Sequence, residues 1–477
     1  MDGRAAEKTE LLMNETAEKI REKMEAKGVM NSAILAFLRA YHLIASGSRG
    51  EISEETIVSA DAVVDYEDLP VYEQFDPELL AQTVVIKLNG GLGTSMGLEK
   101  VKSLLEVRPG VSFLDLMGRQ ILSLRESTGG EVRFLLMNSK ASSNDTGEYL
   151  AKSVPELGDP ADLELLQNWA PKLERETLEP VNHPASPELE WCPPGHADVY
   201  PTLAGSGWLD RLLEAGVRYA FISNSDNLGA VLDPTLLKAF AAGDAPFVME
   251  VTRRTAADKK GGHLATRRED GRLLLREVAQ CPEEDLDAFQ DIERHRYFNT
   301  NNIWVKLEQL KEVMEASGGV LELPVIRNAK TVDPRDPTST PIYQLEQAMG
   351  SAIECFEGAL AVNVPRSRFA PVKGTSDLFA LRSDAYVVGE DGRVQLAAAR
   401  TGRPPVVKFS DEYKLVDALE GLGQPSLIGA DELCVSGPVS FQEGVVIEGS
   451  VNFVNETTET KMVAVGTYRD QEIRWSK

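Results

Sequence analysis

A chain of 477 residues is too long for a single hydrophobic core and calls for two or three domains, and 42% hydrophobic residues is ample material to fill them. A formal net charge of −25 repels nucleic acid and anionic membrane alike, no apolar run approaches the ~20 residues that span a bilayer, and the charged start Met1-Asp2-Gly3-Arg4 lacks a signal peptide's apolar stretch. The expectation is a cytoplasmic protein with neither nucleic acid nor membrane as partner. Cysteines at 192, 281, 355 and 434 form no Cys-x-x-Cys pair, so reduced thiols are expected rather than a zinc site or a disulfide framework.

Residues 1–46 repeat apolar side chains at helical spacing (Ile20, Met24, Ile34, Phe37, Leu38, Tyr41) and predict a helical arm packed on the core, closed by Ala45-Ser-Gly-Ser-Arg-Gly50. An acidic connector from Pro70 to Pro77 leads to the first strand, the β-branched run Val84 to Leu88. A glycine-rich loop follows at once, with glycines at 90, 91, 93 and 97, and then Lys102. A helix near 113–126 and a strand at 132–137 complete a βαβ unit, which predicts a right-handed parallel crossover. Apolar runs at Tyr219–Ser223, Phe247–Val251 and Ile303–Val305 extend the same sheet, whose ligand is expected beyond the carboxyl ends of its strands. The densest basic cluster, Arg253-Arg254 and Lys259-Lys260, reads on spacing alone as a solvated loop. Past Asp384 the pattern changes. Gly389-Glu-Asp-Gly392 marks a turn, and residues 428–455 are short β runs broken by glycine at near-hexad intervals, the pattern of stacked rungs.

The loop after the first strand carries the chemistry. Glycines free the backbone N–H groups to face phosphate oxygens, and Lys102 adds a mobile point charge beside them, although a glycine-rich loop can also be a bare turn. It is neither a P-loop, since Gly97 is followed by Leu98, nor a dinucleotide fingerprint, since the spacing is Gly91, Gly93, Gly97 and the next strand ends in Asn138-Ser139. An acidic chain that binds phosphorylated substrates must bring its few cations to the site and recruit a divalent metal.

The loop Leu88-Asn-Gly-Gly-Leu-Gly-Thr-Ser-Met-Gly97 resembles the signature of the UTP–glucose-1-phosphate uridylyltransferases of eukaryotic type. Five further segments match in order: Leu136-Met-Asn-Ser139, Pro193-Pro-Gly-His196, Ile222-Ser-Asn-Ser-Asp-Asn-Leu-Gly229, Phe298-Asn-Thr-Asn-Asn302 and Asn363-Val-Pro-Arg-Ser-Arg-Phe-Ala-Pro-Val-Lys373. The resemblance implies an α/β fold, a doubly wound mixed or parallel sheet of the nucleotide-diphospho-sugar transferase kind, with N-terminal helices over 1–78, a catalytic core over 79–390 and a small left-handed β-helix over 391–477. The edge of that β-helix is a natural surface for a homo-oligomer. The implied reaction joins UTP and glucose 1-phosphate into UDP-glucose and pyrophosphate with Mg²⁺, by in-line attack of the sugar phosphate on the α-phosphorus.

Carried over residue by residue, the resemblance places the backbone at Leu88, Asn89, Gly90 and Gly91 along the nucleotide, with the two glycines also near the sugar phosphate. Lys102 would bind the β- and γ-phosphates, Gln167 would read the uracil and Gly195 would face the base. His196, Asn224, Ser225, Asp226 and Asn301 would hold glucose 1-phosphate, Asp226 would also touch UTP and ligate the metal, and Lys373 would stabilise charge on the α-phosphate. On its own sequence context Asp226 could equally cap an Asx turn, and Arg366 and Arg368 could be structural ion-pair partners. Two departures stand out: Lys100-Val101-Lys102-Ser103 where the family shows Gly-Pro-Lys-Ser, and Gly195-His-Ala197-Asp where it shows Gly-His-Gly-Asp. The competing readings are another UDP-sugar pyrophosphorylase, of N-acetylhexosamine or broad specificity, and a nucleotide-sugar-binding protein without catalysis.

Overall fold

The computed structural model describes residues 3–93, 96–98 and 100–476; Thr94, Ser95 and Glu99 of the glycine-rich segment lie outside the described residues, and so does any pairing of Lys100 with Glu99. The central sheet has eleven strands: β1 (Ile57–Ser59), β2 (Val64–Asp65), β3 (Thr83–Asn89), β4 (Arg133–Asn138), β5 (Glu164–Leu166), β6 (Tyr219–Asn224), β7 (Phe247–Arg253), β8 (His263–Arg267), β9 (Leu273–Arg276), β10 (Tyr297–Lys306) and β11 (Leu360–Asn363). Across the sheet they run β2-β11-β7-β10-β6-β3-β4-β5, with β1, β8 and β9 branching from β10. The pairs β5/β4, β4/β3, β3/β6, β7/β11 and β11/β2 are parallel, whereas β10 is antiparallel to both β6 and β7. That reversal matters for function, because it brings the first half of β10, the Phe298 to Asn302 segment, to the edge where β3 and β6 end. Two strands, β1 and β2, come from the segment expected to be helical and extend the central sheet.

Both faces of the sheet are buried. Alternate residues of each strand divide between two cores: Val85, Phe134, Leu136, Phe221 and Trp304 on one side, Val84, Ile86, Leu135, Ile222 and Ile303 on the other. Helices α1 (Gly3–Ala26) and α2 (Asn31–Ala45) form a third core, in which Ile20, Met24, Phe37 and Tyr41 pack with Leu173, Trp191 and Leu345. The first core is covered by α3 (Phe113–Thr128), whose N-terminus is fixed by a reciprocal capping box between Ser112 and Asp115. Behind it, α4 (Lys140–Ser153) is opened in the same way by Ser139 and Ser142. No helix among the described residues is long and apolar enough to cross a membrane.

Beyond α5 (Thr375–Arg382) the chain winds through β12 (Val406–Phe409), β13 (Ser426–Ser436), β14 (Val439–Phe441), β15 (Val445–Asn455), β16 (Lys461–Val463) and β17 (Gly466–Trp475). Every pairing here is parallel: β12, β13, β15 and β17 form one sheet, and β14 and β16 a second. One coil takes 18 residues, from Leu433 to Val451, and the next takes 20, from Val451 to Gln471. These coils share their apolar interior, Leu427, Leu433, Ile447 and Phe453 among it, with the core under α3.

Candidate functional site

Strand β3 stops at Asn89 because its side chain turns inward. Its amide donates to Asn138 Oδ1 at 2.8 Å and Thr146 Oγ1 at 3.1 Å, and its carbonyl accepts from Ser142 Oγ at 2.9 Å. Asn89 therefore braces β3 against β4 and α4, with its side chain and its carbonyl both spent inside the protein. The glycines then turn the chain out. A Cβ on Gly90 would lie 2.9 Å from Gln167 Oε1, while Gly91 has open space around it. The loop folds back on itself through a bridge between Leu92 and Val101 and a hydrogen bond from Lys102 N–H to Gly91 O at 3.2 Å.

Lys102 meets Asp226 there. The Nζ to Oδ2 distance is 2.8 Å, and the two side chains are 16% and 23% exposed, so two residues 124 apart in sequence form a half-buried ion pair. The other Asp226 oxygen, Oδ1, is buried and accepts no hydrogen bond. Leu88 reaches the same place, its carbonyl accepting from Ser225 N–H at 3.1 Å, which ties the ends of β3 and β6 together just before Asp226. Asn224 is the last residue of β6.

The segment ending in Lys373 is laced to this loop. Val372 N–H donates to Asp226 O at 3.0 Å, Ala370 N–H to Asn227 Oδ1 at 3.0 Å, and Asn227 Nδ2 to Arg368 O at 3.1 Å. Lys373 is exposed, with Nζ 5.9 Å from the centre of the Phe369 ring. Beneath them Arg368 forks onto Glu250 at 2.8 and 2.7 Å, and Glu250 also accepts from Trp304 Nε1 at 2.9 Å and Asn302 Nδ2 at 3.0 Å. Arg366 pairs through both nitrogens with Asp258 at 2.9 Å. Both arginines are thus held in ion pairs that brace the Lys373 segment.

Asn301 is placed by a β-bulge. The register between β7 and β10 shifts at Glu250/Val251, and Asn301 takes φ +57°, held by paired 2.9 Å hydrogen bonds with the Asn299 side chain. Bulges beside active sites re-aim a side chain, and asparagine tolerates the left-handed conformation better than most residues.

On the other wall Gln167 Nε2 donates to Gly195 O at 3.1 Å, which leaves Oε1 facing Gly90. Gly195 has φ +90°, and a Cβ there would lie 2.6 Å from Gln347 O, so no other residue fits. His196 Nδ1 accepts the backbone N–H of Met349 at 2.9 Å. Burial pushes its imidazole pKa down to about 4, so the ring is neutral near pH 7 and carries its proton on Nε2.

Two charged groups were not legible. Glu277 is half-buried, its carboxylate 2.5 Å from where a Cβ on Gly262 would stand; desolvation raises its pKa and the Lys373 charge partly offsets this. Of the Gly261-Gly262 pair only Gly262 abuts it, since Gly261 faces the Phe298 ring. Arg254, expected in a solvated loop, is buried instead, donating to Phe289 O at 2.8 Å and Lys259 O at 2.8 Å. Its acceptors are backbone carbonyls, which composition cannot reveal.

A glycine-rich loop, two lysines and one free carboxylate oxygen gathered at the ends of adjacent strands of an α/β sheet are what a protein that handles the phosphates of a nucleotide presents to them. The comparisons with known proteins narrow the class. Residues 35–448 match the model of the UTP–glucose-1-phosphate uridylyltransferase family, and the chain belongs to that family. It is 41% identical to the UTP–glucose-1-phosphate uridylyltransferase of Hordeum vulgare over 400 residues, 82% of each chain, and 39% identical to that of Saccharomyces cerevisiae over 418 residues, 87% of this chain and 82% of the other. Among solved structures it is similar to a UDP-glucose pyrophosphorylase from Leishmania major, known in open and closed structures, with TM-score 0.90 and 42% identity over 96% of this chain and 99% of that one. The Trypanosoma brucei protein titled UDP-glucose phosphorylase gives TM-score 0.88 and 46% identity over 97% and 100%.

Proposed function

We propose that this chain, like its family, transfers the uridylyl group of UTP to glucose 1-phosphate, forming UDP-glucose and releasing pyrophosphate, with Mg²⁺ and by in-line attack on the α-phosphorus. The observation that carries this reading is the Lys102–Asp226 pair at the foot of the glycine loop, laced through Val372 to Lys373. It joins a phosphate-binding cation, a metal-binding carboxylate and a second cation on one rigid strand edge.

The residues fit the metal. A hard divalent ion takes oxygen ligands and commonly binds one or two protein carboxylates plus substrate phosphates, and Asp226 Oδ1 is a buried oxygen without a partner. No group of three or more His, Cys, Asp or Glu side chains suited to a metal occurs among the described residues, which suits an ion carried in with the nucleotide. Once bound, Mg²⁺ neutralises charge on the phosphates. Lys102 binds the β- and γ-phosphates, and Lys373 steadies the α-phosphate as charge shifts onto its oxygens. Gln167, with Gly90 and Gly195 closing above and below its amide, reads the uracil edge through one donor and one acceptor. His196 offers Nε2–H to the glucosyl phosphate, while Asn224, Ser225 and Asn301 take the sugar side. Glu277 joins them as an acceptor for a sugar hydroxyl.

The same reading assigns three regions, 1–78, 79–390 and 391–477. It takes the parallel coils of the last as a left-handed β-helix whose final strand β17 pairs copies of the chain, and it places the protein in the cytoplasm.

A pyrophosphate-release assay with UTP and a panel of sugar 1-phosphates, with and without Mg²⁺, tests the proposal. Glucose 1-phosphate should be turned over far better than galactose 1-phosphate or N-acetylglucosamine 1-phosphate, and Asp226→Ala should abolish turnover in a folded protein. Equal use of the three sugars would refute the specificity, and near-normal turnover by Asp226→Ala would remove that residue from the metal site.

A further inference from the structure

On the α3 face of the sheet, in the core that Met96 and Leu98 of the glycine-rich segment also enter, lies a cavity of about 680 Å³. Volumes of 300–1,000 Å³ are typical of small-molecule sites. Val85, Phe134, Met117, Ile121, Leu124 and Leu232 form one apolar wall, polar side chains that include Glu73, Gln120 and Ser123 complete the lining, and one buried cation, Lys87, is set against the apolar wall. Lys87 is 4% exposed. Its Nζ donates to Ser223 Oγ at 2.8 Å and to Ala230 O at 2.5 Å, both neutral acceptors, and it forms no ion pair among the described residues. An ammonium has three N–H donors, so one remains unspent in an apolar surround. The cation at the cavity mouth, Arg393, is already paired with Asp391 at 3.3 Å.

A buried, unpaired cation is costly and calls for an anion. A single lysine matches a single negative charge, since a dianion would leave one charge desolvated and unmatched. The apolar wall asks for a hydrocarbon body. We propose that this cavity is a binding site for a small amphipathic monocarboxylate, its head on Lys87 and its chain along α3. None of the residues that line the cavity is assigned to the cleft, so the inference stands apart from that reading.

The charged groups that act on Lys87 are Arg368, which opposes its charge, and Glu250 and Asp226, which favour it, with burial dominant; together they bring its pKa down to about 7. A carboxylate must therefore find or restore the proton on Lys87. Its affinity should be constant below that pH and fall about tenfold per unit above it.

Calorimetric titration of the full chain with sodium octanoate, and with 1-octanol as the uncharged control, tests this. At pH 6.5 octanoate should bind with Kd on the order of 0.1–1 mM, the range expected for about ten heavy atoms, and octanol at least tenfold more weakly. Lys87→Met should erase that difference. Ser123→Phe, which fills the cavity from α3 and touches neither Lys87 nor the cleft, should abolish octanoate binding and leave UDP-glucose formation unchanged. Should Lys87→Met fail to fold, the pH series on the unaltered chain and Ser123→Phe still decide. Octanol binding as tightly as octanoate, octanoate affinity unchanged between pH 6 and 9, or undiminished binding by Ser123→Phe would each overturn the proposal.

Discussion

At the scale of single residues, the site separates two lysines that the sequence left side by side. Lys102 is half-buried against Asp226, whereas Lys100 is exposed. A charge contact is strong where water is excluded and weak where it is not. Lys102→Ala should therefore lower kcat/KM for UTP by roughly 10²-fold, the scale for losing one preorganised contact, and Lys100→Ala by only a few fold. Steady-state kinetics on the two variants checks this, and a larger loss at Lys100 would contradict it. His196 supplies a second residue-scale prediction. With its pKa near 4 the ring should stay neutral, in the Nε2–H form, down to about pH 5, and imidazole ¹⁵N shifts report this directly. In the unfolded chain the ordinary histidine value near 6.5 applies. Between pH 6.5 and 4 the unfolded state then binds the extra proton, so the histidine's contribution to stability is complete above pH 6.5 and is lost as pH falls toward 4. A His196→Gln variant should lose less stability over that interval than the unaltered chain.

At the scale of elements, the bulge in β10 is the feature most open to test. Asn301 sits at φ +57°, so Asn301→Gly should keep the fold within about 1 kcal/mol, while Asn301→Val, branched at Cβ, should cost on the order of 1–3 kcal/mol. On the proposed assignment both remove a sugar-binding side chain, so both should raise KM for glucose 1-phosphate, and chemical denaturation beside kinetics separates the two effects. An unchanged KM in the glycine variant would take Asn301 out of the sugar site. This element also shows how far sequence reading reaches. The runs 84–88, 132–137, 219–223 and 247–251 are strands to within two residues of the expected ends, because strands buried on both faces are apolar throughout. The same all-apolar pattern carries no direction, so nothing in Ile303-Trp304-Val305 announced that β10 runs against its neighbours. Strands β1 and β2, of three and two residues, are too short for a period to register. Lys102 and Asp226 were each found from their motifs, but their contact crosses 124 positions and only the fold states it. Glu277 and Arg254 escaped for the complementary reason, since a lone charge in sequence looks solvated until its partners are placed around it.

At the scale of the whole molecule, the coils after residue 400 share one hydrophobic interior with the catalytic sheet. Phe379 of α5 meets Phe409 of β12 edge-on at 5.1 Å, and Tyr413 continues the row at 5.1 Å from Phe409. Truncation before residue 395 removes Phe409 and Tyr413 and uncovers Phe379. The shortened chain should melt at a lower temperature and aggregate, as light scattering during a thermal ramp would show. A finer contact reaches the cleft: a Cβ on Gly97 would lie 2.9 Å from Leu415 Cδ2, so the glycine-rich loop rests at Gly97 on the C-terminal region. Leu415 is exposed, so Leu415→Ala should move Tm by no more than about 2 °C yet change KM for UTP by a few fold. An unaltered KM would mean that the loop works independently of the coils.

The Lys102–Asp226 pair has a logical consequence as well as a chemical one. Each charge is the other's counter-ion, so a lone divalent ion approaching Asp226 is opposed by the ammonium, and a lone phosphate approaching Lys102 is opposed by the carboxylate. Only a ligand that delivers metal and phosphate together can replace one internal bond with two external ones. If Asp226 takes the metal and Lys102 the phosphates, as proposed, the cleft is a coincidence detector: calorimetry should find Mg²⁺ alone and metal-free pyrophosphate both weak, and each bound about tenfold or more tightly when the other is present. For an acidic protein among abundant free cations and loose phosphates, that gate lets the site ignore each signal until both arrive at once.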